Sequence, residues 1–376
     1  MSGPLAGLRI IEFAGIGPGP FCGMVLADQG AEVIRIERPG TRHDPADVLA
    51  RSRRSIVVDM KHADGLELVR DLCRSADGLI EGYRPGVMER LGLGPDILLA
   101  DNPKLVYGRM TGWGQDGPLA QVAGHDINYI ALTGVLHTVG TAGAKPVVPV
   151  NYVGDFGGGG MLLAFGMVSA LLAVARGGRG QVIDAAMAEG AALLSSMVWQ
   201  LVGWKRWNDA PGTNWLDGGA HFYDSYECAD GRFVAIGAIE APFYRQLREK
   251  LGLEDDAALD AQMDPAAWPA LKERLAAIFL RRTRDDWCEL LEGTDACFAP
   301  VLSLAEAPAH PHNVARGTFI TVEGQVQPAP APRFLGTPAD PPRQARKPGA
   351  DTGEVLADLG YDAARVAELR AAGTIL

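Results

Sequence analysis

Residues 8 to 37 run through an apolar segment, a glycine- and proline-rich turn, a helical pattern and a second apolar segment with almost no spare chain between them. Leu8-Arg9-Ile10-Ile11-Glu12-Phe13 reads as a strand, Gly15 to Pro20 as a turn, Phe21 to Gln29 as a helix and Glu32-Val33-Ile34-Arg35-Ile36-Glu37 as a second strand. Two strands joined through a helix must run parallel, and a parallel sheet has to be covered by helices on both faces. The alternation continues with a strand at Ser55 to Met60, a helix at Asp64 to Ser75, a short strand at Gly78 to Glu81 and a strand at Leu105 to Met110. An α/β fold with an open, largely parallel sheet is therefore expected for the first half of the chain.

The pattern then changes. A helix is expected from about Ala188 to Trp204, and a polar, Trp- and Gly-rich stretch from Lys205 to Ala220 reads as a linker. His221 to Cys228 and Arg232 to Ile239 flank an Ala229-Asp230-Gly231 turn, a hairpin signal, and helical patterns follow from Pro242 to Leu291. With 376 residues the chain is long enough for two domains. The expected division is a large domain over 1–204, a linker over 205–220, a small α+β domain over 221–325 and a proline-rich return segment with C-terminal helices over 326–376. Phe156 to Ala175 carries no charge, but four of its first residues are Gly157 to Gly160, and the remaining apolar run is short for a membrane span. A helix buried on all sides is the expectation there.

A net charge of −11 makes the chain a poor fit to nucleic acid or to an anionic membrane surface, so the expected partners are a small molecule or protein. The five cysteines are widely spaced with no C-x-x-C, which suggests neither a disulfide framework nor a thiolate metal site, and His310-Pro311-His312 lacks a third ligand in sequence. No metal is expected. The N-terminal residues lack the pattern of a signal peptide, and the expected location is cytoplasmic.

Gly15-Ile16-Gly17-Pro18-Gly19-Pro20 sits where a dinucleotide fingerprint would sit, but Pro20 replaces the third glycine, and Pro18 and Pro20 have no N–H to offer a pyrophosphate. No nicotinamide cofactor is expected. From Arg35 to Arg54 six arginines face three acids in an acidic protein, and Lys61, Arg84 and Arg90 follow. That excess suggests an anion site, with a solvated loop or intersubunit ion pairs as the alternative reading. His125, in Gly124-His125-Asp126-Ile127-Asn128-Tyr129, lies at an expected helix start, and Asp155 directly precedes another. An imidazole and a carboxylate so placed are the kind of pair that moves a proton on and off carbon, with backbone N–H groups from Phe156 onward as donors to an oxyanion. Taken singly, each residue is better read as structural; it is the two together that suggest the proton-moving pair.

These stretches, together with Gly17-Pro18-Gly19-Pro20-Phe21-Cys22, Glu37-Arg38-Pro39-Gly40, Asp155-Phe156-Gly157-Gly158-Gly159, Gly178-Arg179-Gly180-Gln181-Val182-Ile183-Asp184-Ala185, Gly237-Ala238-Ile239-Glu240 and Gly293-Thr294-Asp295-Ala296-Cys297, resemble the alpha-methylacyl-CoA racemase branch of the family III CoA-transferase superfamily. The resemblance implies 1,1-proton transfer at the α-carbon of a 2-methylacyl-CoA thioester, with His125 and Asp155 on opposite faces and Glu240 orienting the imidazole. CoA, part of the substrate and not a cofactor, would be held by Arg38, Val58, Asp59, Met60, Lys61, Tyr83, Arg84 and Arg90, and by Gly124, Asp126, Ile127, Asn128 and Tyr129. The implied fold is an interlocked homodimer, each chain having a Rossmann-like large domain and a smaller one, with the active site between subunits. A CoA-transferase of the same superfamily, with Asp155 as nucleophile, is the alternative.

Overall fold

The computed structural model describes residues 2–376. The chain divides into two compact units: one of residues 1–133, 150–194 and 317–376, the other of residues 134–149 and 195–316.

The first unit is built on six strands, β1 (Arg9–Phe13), β2 (Glu32–Glu37), β3 (Arg54–Val57), β4 (Gly78–Glu81), β5 (Val106–Thr111) and β6 (Val182–Ala186), in the order β3-β2-β1-β4-β5-β6 with every pair parallel. The direction of winding reverses between β1 and β4, and in open α/β sheets ligands bind beyond the carboxyl ends of the strands at such a point. Alternation within β1 sorts side chains to the two faces. Ile11 and Phe13 join a core with Leu68, Val69 and Leu72 of helix α2 (Ala63–Arg74) and with Val355, Leu356 and Leu369 near the C-terminus. Ile10 faces the opposite way, toward Leu26 of helix α1 (Pro18–Asp28). Short helices α3 (Val87–Arg90) and α4 (Pro95–Asp101) follow β4, and α5 (Asp126–Leu132) follows β5.

Residues 152–161, Tyr152–Met161, form a π-helical stretch that runs directly into α6 (Leu162–Ala175), and α7 (Met187–Leu194) follows β6. The glycine run explains this geometry. A Cβ on Gly158 would come within 2.6 Å of the Ala191 amide nitrogen, and one on Gly190 within 1.8 Å of the Gly158 carbonyl oxygen. The wide π winding and α7 therefore meet backbone to backbone. Helix α6 is not buried on all sides as expected from its composition. Leu163, Met167 and Ala170 pack onto the sheet, where Met167 fills the space left by Gly78 and Gly108, while Met161, Phe165, Val168 and Leu172 are exposed. By length and composition Tyr152–Ala175 could cross a membrane; here one face of it covers the sheet.

The second unit holds α8 (Ser196–Gly203) and an antiparallel sheet of β7 (Tyr223–Glu227), β8 (Phe233–Gly237) and β9 (Phe298–Pro300), packed against α9 (Ala241–Leu251), α10 (Trp268–Phe279) and α11 (Arg284–Leu291) around Phe222, Trp268, Phe279 and Trp287. Helix α12 (Pro311–Arg316) ends this unit. The chain then returns to the first unit through a hairpin, β10 (Phe319–Val322) and β11 (Gln325–Pro328), and helices α13 (Thr352–Asp358) and α14 (Ala363–Ala371).

The unit boundaries differ from the expected ones. The single helix expected to Trp204 is broken at Ser195, so α7 and α8 belong to different units. The segment expected to be a linker is a tied loop of the second unit, in which the buried Asn214 amide donates to Asp217 at 2.8 Å and to the Asn208 carbonyl at 3.0 Å. A boundary at 325 would cut the β10–β11 hairpin.

Because the π-helical stretch has no room beside it, Gly190→Ala should lower stability by about 3 kcal/mol or more, as overpacking against rigid backbone does. Gly336→Ala, where a Cβ meets nothing within 4 Å, should be nearly neutral. Denaturant unfolding of the two variants beside the parent checks this.

Candidate active site

Beyond the carboxyl ends of β1, β4 and β5 the first unit opens into a cavity of about 850 Å³. The turn Gly15 to Pro20 forms one wall, with Gly17 in a left-handed conformation (φ 69°) as the residue before α1 and Pro18 opening the helix, three residues earlier than expected. Proline suits that place because the first N–H of a helix has no partner to lose. The turn is held from beneath: Arg53 donates to the Pro20 carbonyl and, at 3.0 Å, to Glu12, which also accepts from Arg35 at 3.0 Å.

Opposite the turn stands Asp155. It does not precede a helix as expected; it lies within the first turn of the π-helical stretch, and Asn151 takes the preceding position. The Asn151 side-chain amide donates to Asp155 Oδ2 at 3.1 Å, and a Cβ on Gly17 would lie 3.4 Å from the same oxygen. Burial pushes the Asp155 carboxyl above the ordinary carboxylate range and the charge of Asp126 adds to that, while the Asn151 hydrogen bond and His125 oppose. Phe156 N–H is engaged with the Asn151 carbonyl in the widened winding, at 3.4 Å. The amide expected to lead a row of oxyanion donors is therefore spent on the helix itself.

His125 is the residue before α5, as expected, and its amide donates to Asn128 Oδ1 at 3.0 Å. Its exposed imidazole and the Asp155 carboxyl line the same cavity. Tyr129, one turn into α5, packs edge-on against Trp113 with ring centres 4.8 Å apart and donates to the Gly124 carbonyl, which fixes the loop leading to His125. Apolar residues Phe13, Ile16, Ile80, Met110 and Met187 complete the walls, Ile16 standing out at 84% exposure.

Of the residues expected to hold CoA, Arg38, Tyr83, Arg84, Gly124 and Tyr129 line this cavity. Tyr83 packs edge-on to Phe13, and burial pushes its hydroxyl up while Arg38 opposes. Val58, Asp59, Met60, Lys61, Arg90, Asp126, Ile127 and Asn128 are not among the lining residues. Val58 is core and bridges to Ile375, and the Asp59 amide donates to the Thr374 carbonyl at 2.8 Å. Asp126 is buried behind the wall. Four of the six clustered arginines are consumed internally: Arg35 and Arg53 by Glu12, Arg51 by Asp28, and Arg54 by Glu32 and Asp358. They are ion pairs within one chain, which neither reading of the cluster anticipated. Glu240 belongs to the second unit, exposed at the residue before α9, where burial pushes the Cys297 thiol up and the charge of Glu240 adds to it. Sequence reasoning passed over Asn151, whose only signal is its place four residues before Asp155, and Ile16, which a turn assignment hides.

The sequence matches CoA-transferase family III over residues 5–352. The chain belongs to CoA-transferase family III. Two relatives are named alpha-methylacyl-CoA racemase. The mouse protein is 48% identical over 97% of this chain and 96% of its own length, and the human protein is 47% identical over the same shares. A neighbour in structure, a CAIB/BAIF family protein from Brucella suis, superposes with a TM-score of 0.80 at 28% identity, covering 96% of this chain and all of that one. The mixed α/β architecture, with its six-stranded parallel sheet and smaller antiparallel sheet, agrees with the fold expected from sequence.

The raised Asp155 carboxyl has a consequence for stability. A carboxyl whose folded value lies above its unfolded value penalises the folded state once ionised, and the penalty grows as pH rises from the ordinary carboxylate range through the raised value. Asp155→Asn should therefore melt at a higher temperature than the parent at pH 7, and the difference should vanish below the ordinary carboxylate range. Melting curves across pH measure it.

Proposed function

We propose that this chain is a racemase of 2-methylacyl-CoA thioesters, removing the α-proton from one face of the α-carbon and returning a proton to the other. The observation that carries this reading is the pairing of His125 and Asp155 in one largely apolar-walled cavity at the switch point of the sheet. An imidazole and a carboxyl that burial pushes toward its protonated form are both groups able to take or give a proton. The α-proton of a thioester is far less acidic than either group, and the enolate needs fixed dipoles. With Phe156 N–H engaged, the helix starts that border the cavity, at Gly19 of α1 and after His125 for α5, are the donors we assign. Arg38 and Arg84 at the rim suit the phosphates of CoA. Glu240 is assigned to orient His125, and no metal or further cofactor takes part.

We further propose a homodimer. Met161, the last residue of the π-helical stretch, and Phe165, Val168 and Leu172 of α6 form one exposed apolar stripe at helical spacing, a surface suited to self-association. All five cysteines are free, which fits a reducing, cytoplasmic setting.

The test is incubation of each pure enantiomer of a 2-methylacyl-CoA in D2O, without acceptor acid, following α-deuterium by NMR. Exchange with racemisation supports the reading; CoA transfer to an added acid together with a hydroxylamine-sensitive adduct on Asp155 would establish the transferase alternative. His125→Ala and Asp155→Ala should each lose racemisation by about 10²–10⁴-fold, the usual scale for a general acid–base group, while keeping exchange from one enantiomer only. Glu240→Gln should be milder. Arg38→Ala should mainly raise KM, more so at low salt.

A further inference from the structure

We propose that Asp126 is a positioning residue that ties the two reacting segments together, holding the backbone of residue 155 to the start of α5 and setting a fixed negative charge against the Asp155 carboxyl. This rests on the acid–base reading of His125 and Asp155.

Asp126 is the first residue of α5 and follows His125 directly. An aspartate in a first helical turn ordinarily faces solvent and the free N–H groups of its own helix. This one is turned inward and is 4% exposed. Its Oδ2 accepts the Asp155 N–H at 2.7 Å, so a single side chain spans from the residue beside the imidazole to the residue bearing the carboxyl. Its Oδ1 is enclosed with no donor among the described residues. An ionised carboxylate has room for about four donors, and leaving most of that capacity empty is costly. If Asp126 served only to accept one amide hydrogen, asparagine would do so at less cost. Its charge acts on its neighbours instead: burial raises Asp155 and Asp126 adds to it, and burial together with Asp155 raises Tyr129, with Asp126 adding a further part. Space for the carboxylate is kept by Gly154, on which a Cβ would lie 2.6 Å from Oδ2.

The ionisable groups acting on Asp155 are Asp126 and His125. From the other elements packed on the π-helical stretch, α1 presents Pro18 and Phe21, α6 continues it without an ionisable residue, and α7 presents Met187, Gly190 and Ala191 with its Glu189 exposed. Helix α5 adds Tyr129, Arg109 of β5 is paired with Glu81 and Glu89, and Asp184 of β6 accepts from the Gln115 amide. None of these can substitute for the charge of Asp126. The two functions of its carboxylate, acceptor and charge, are separable by substitution, since asparagine keeps an acceptor and alanine keeps neither.

The experiment labels the full-length protein with ¹³C at aspartate carboxyls, assigns Asp155 by its loss in Asp155→Asn, and titrates it in the parent, Asp126→Asn and Asp126→Ala. Asp155 should titrate lower in Asp126→Asn, as removal of a neighbouring like charge requires, and the acid limb of the kcat profile for α-deuterium exchange should move down with it. Asp126→Ala should lose kcat more than KM, and Asp126→Asn should retain at least about ten-fold more kcat than alanine, because the amide acceptor preserves the geometry. An unmoved Asp155 titration in Asp126→Asn, or equal loss of kcat in both variants, would overturn the proposal. The titration needs no turnover. If the parent fails to exchange α-deuterium, the racemase reading fails while the Asp155 shift still decides the role of Asp126, and it does so through Asp126→Asn even where the alanine variant does not fold.

Discussion

The buried Glu12 carboxylate is the fixed point of the first unit. It is fully enclosed within the central strand β1, and its two oxygens are taken by Arg35 from β2 and Arg53 beside β3. Losing one partner of a buried pair of this kind costs about 3–5 kcal/mol, because the remaining charge has no water to turn to. The group does more than neutralise itself. Arg53 reaches the Pro20 carbonyl, and Gly23 leaves the space for both side chains, since a Cβ there would lie 2.2 Å from Glu12 Oε2. Prolines 18 and 20 make the first turn of α1 rigid but remove two of its amide donors, so its place depends on what its carbonyls accept. Through Arg53 the charge pair under the sheet fixes where that turn stands, and the turn is the wall that faces Asp155.

From the other side Asp155 is placed by the glycine run. An ordinary α-helix with side chains at 157–160 would hold α7 and α1 several ångströms away. Without Cβ atoms the segment winds wide, meets Gly190 directly, and stacks Phe156 on Phe21 with ring centres 4.5 Å apart. The carboxyl is thus brought close to the α1 turn and away from water, and the same burial that positions it raises it toward the protonated form. Packing and acid strength have a single cause here.

How much of this was legible depended on whether the information was local. Strand and helix alternation is local: β2 and β4 fall at Glu32–Glu37 and Gly78–Glu81 as expected and β1, β3, β5, β7 and β8 within a few residues, whereas β6 and the short β9, β10 and β11 are not among the expected strands. His125 at the start of α5 was readable for the same reason. The arginine cluster was not, because Arg51, Arg53 and Arg54 find partners 22 to 304 residues away, and charge counted along a sequence cannot distinguish a buried pair from an exposed site. Asp155 was identified but misplaced. The expected helix starts with the glycine run after Asp155, whereas tertiary contacts with α7 hold this poor helix-forming segment in a wide winding that already begins at Tyr152 and takes Asp155 into its first turn. The exposed stripe of α6 escaped notice because a run apolar on every face gives no periodicity from which to choose the buried one.

The sheet order then accounts for where the remaining cations stand. With the internal arginines consumed, a protein of net charge −11 has to attract an anionic ligand through local charge. Arg38 directly follows β2 and Arg84 closely follows β4, the two strands that flank β1. Since all three run parallel, their ends emerge on one side, and the two guanidinium groups reach the rim on either side of the Gly15–Pro20 turn without any special loop geometry. The proposed reacting pair comes from segments farther along the chain, His125 before α5 and Asp155 in the π-helical stretch before α6. The proposed anion site is thereby a product of the sheet's winding, whereas the proposed acid–base pair depends on the glycine-paved contact between helices, which makes the second the more sensitive to substitution.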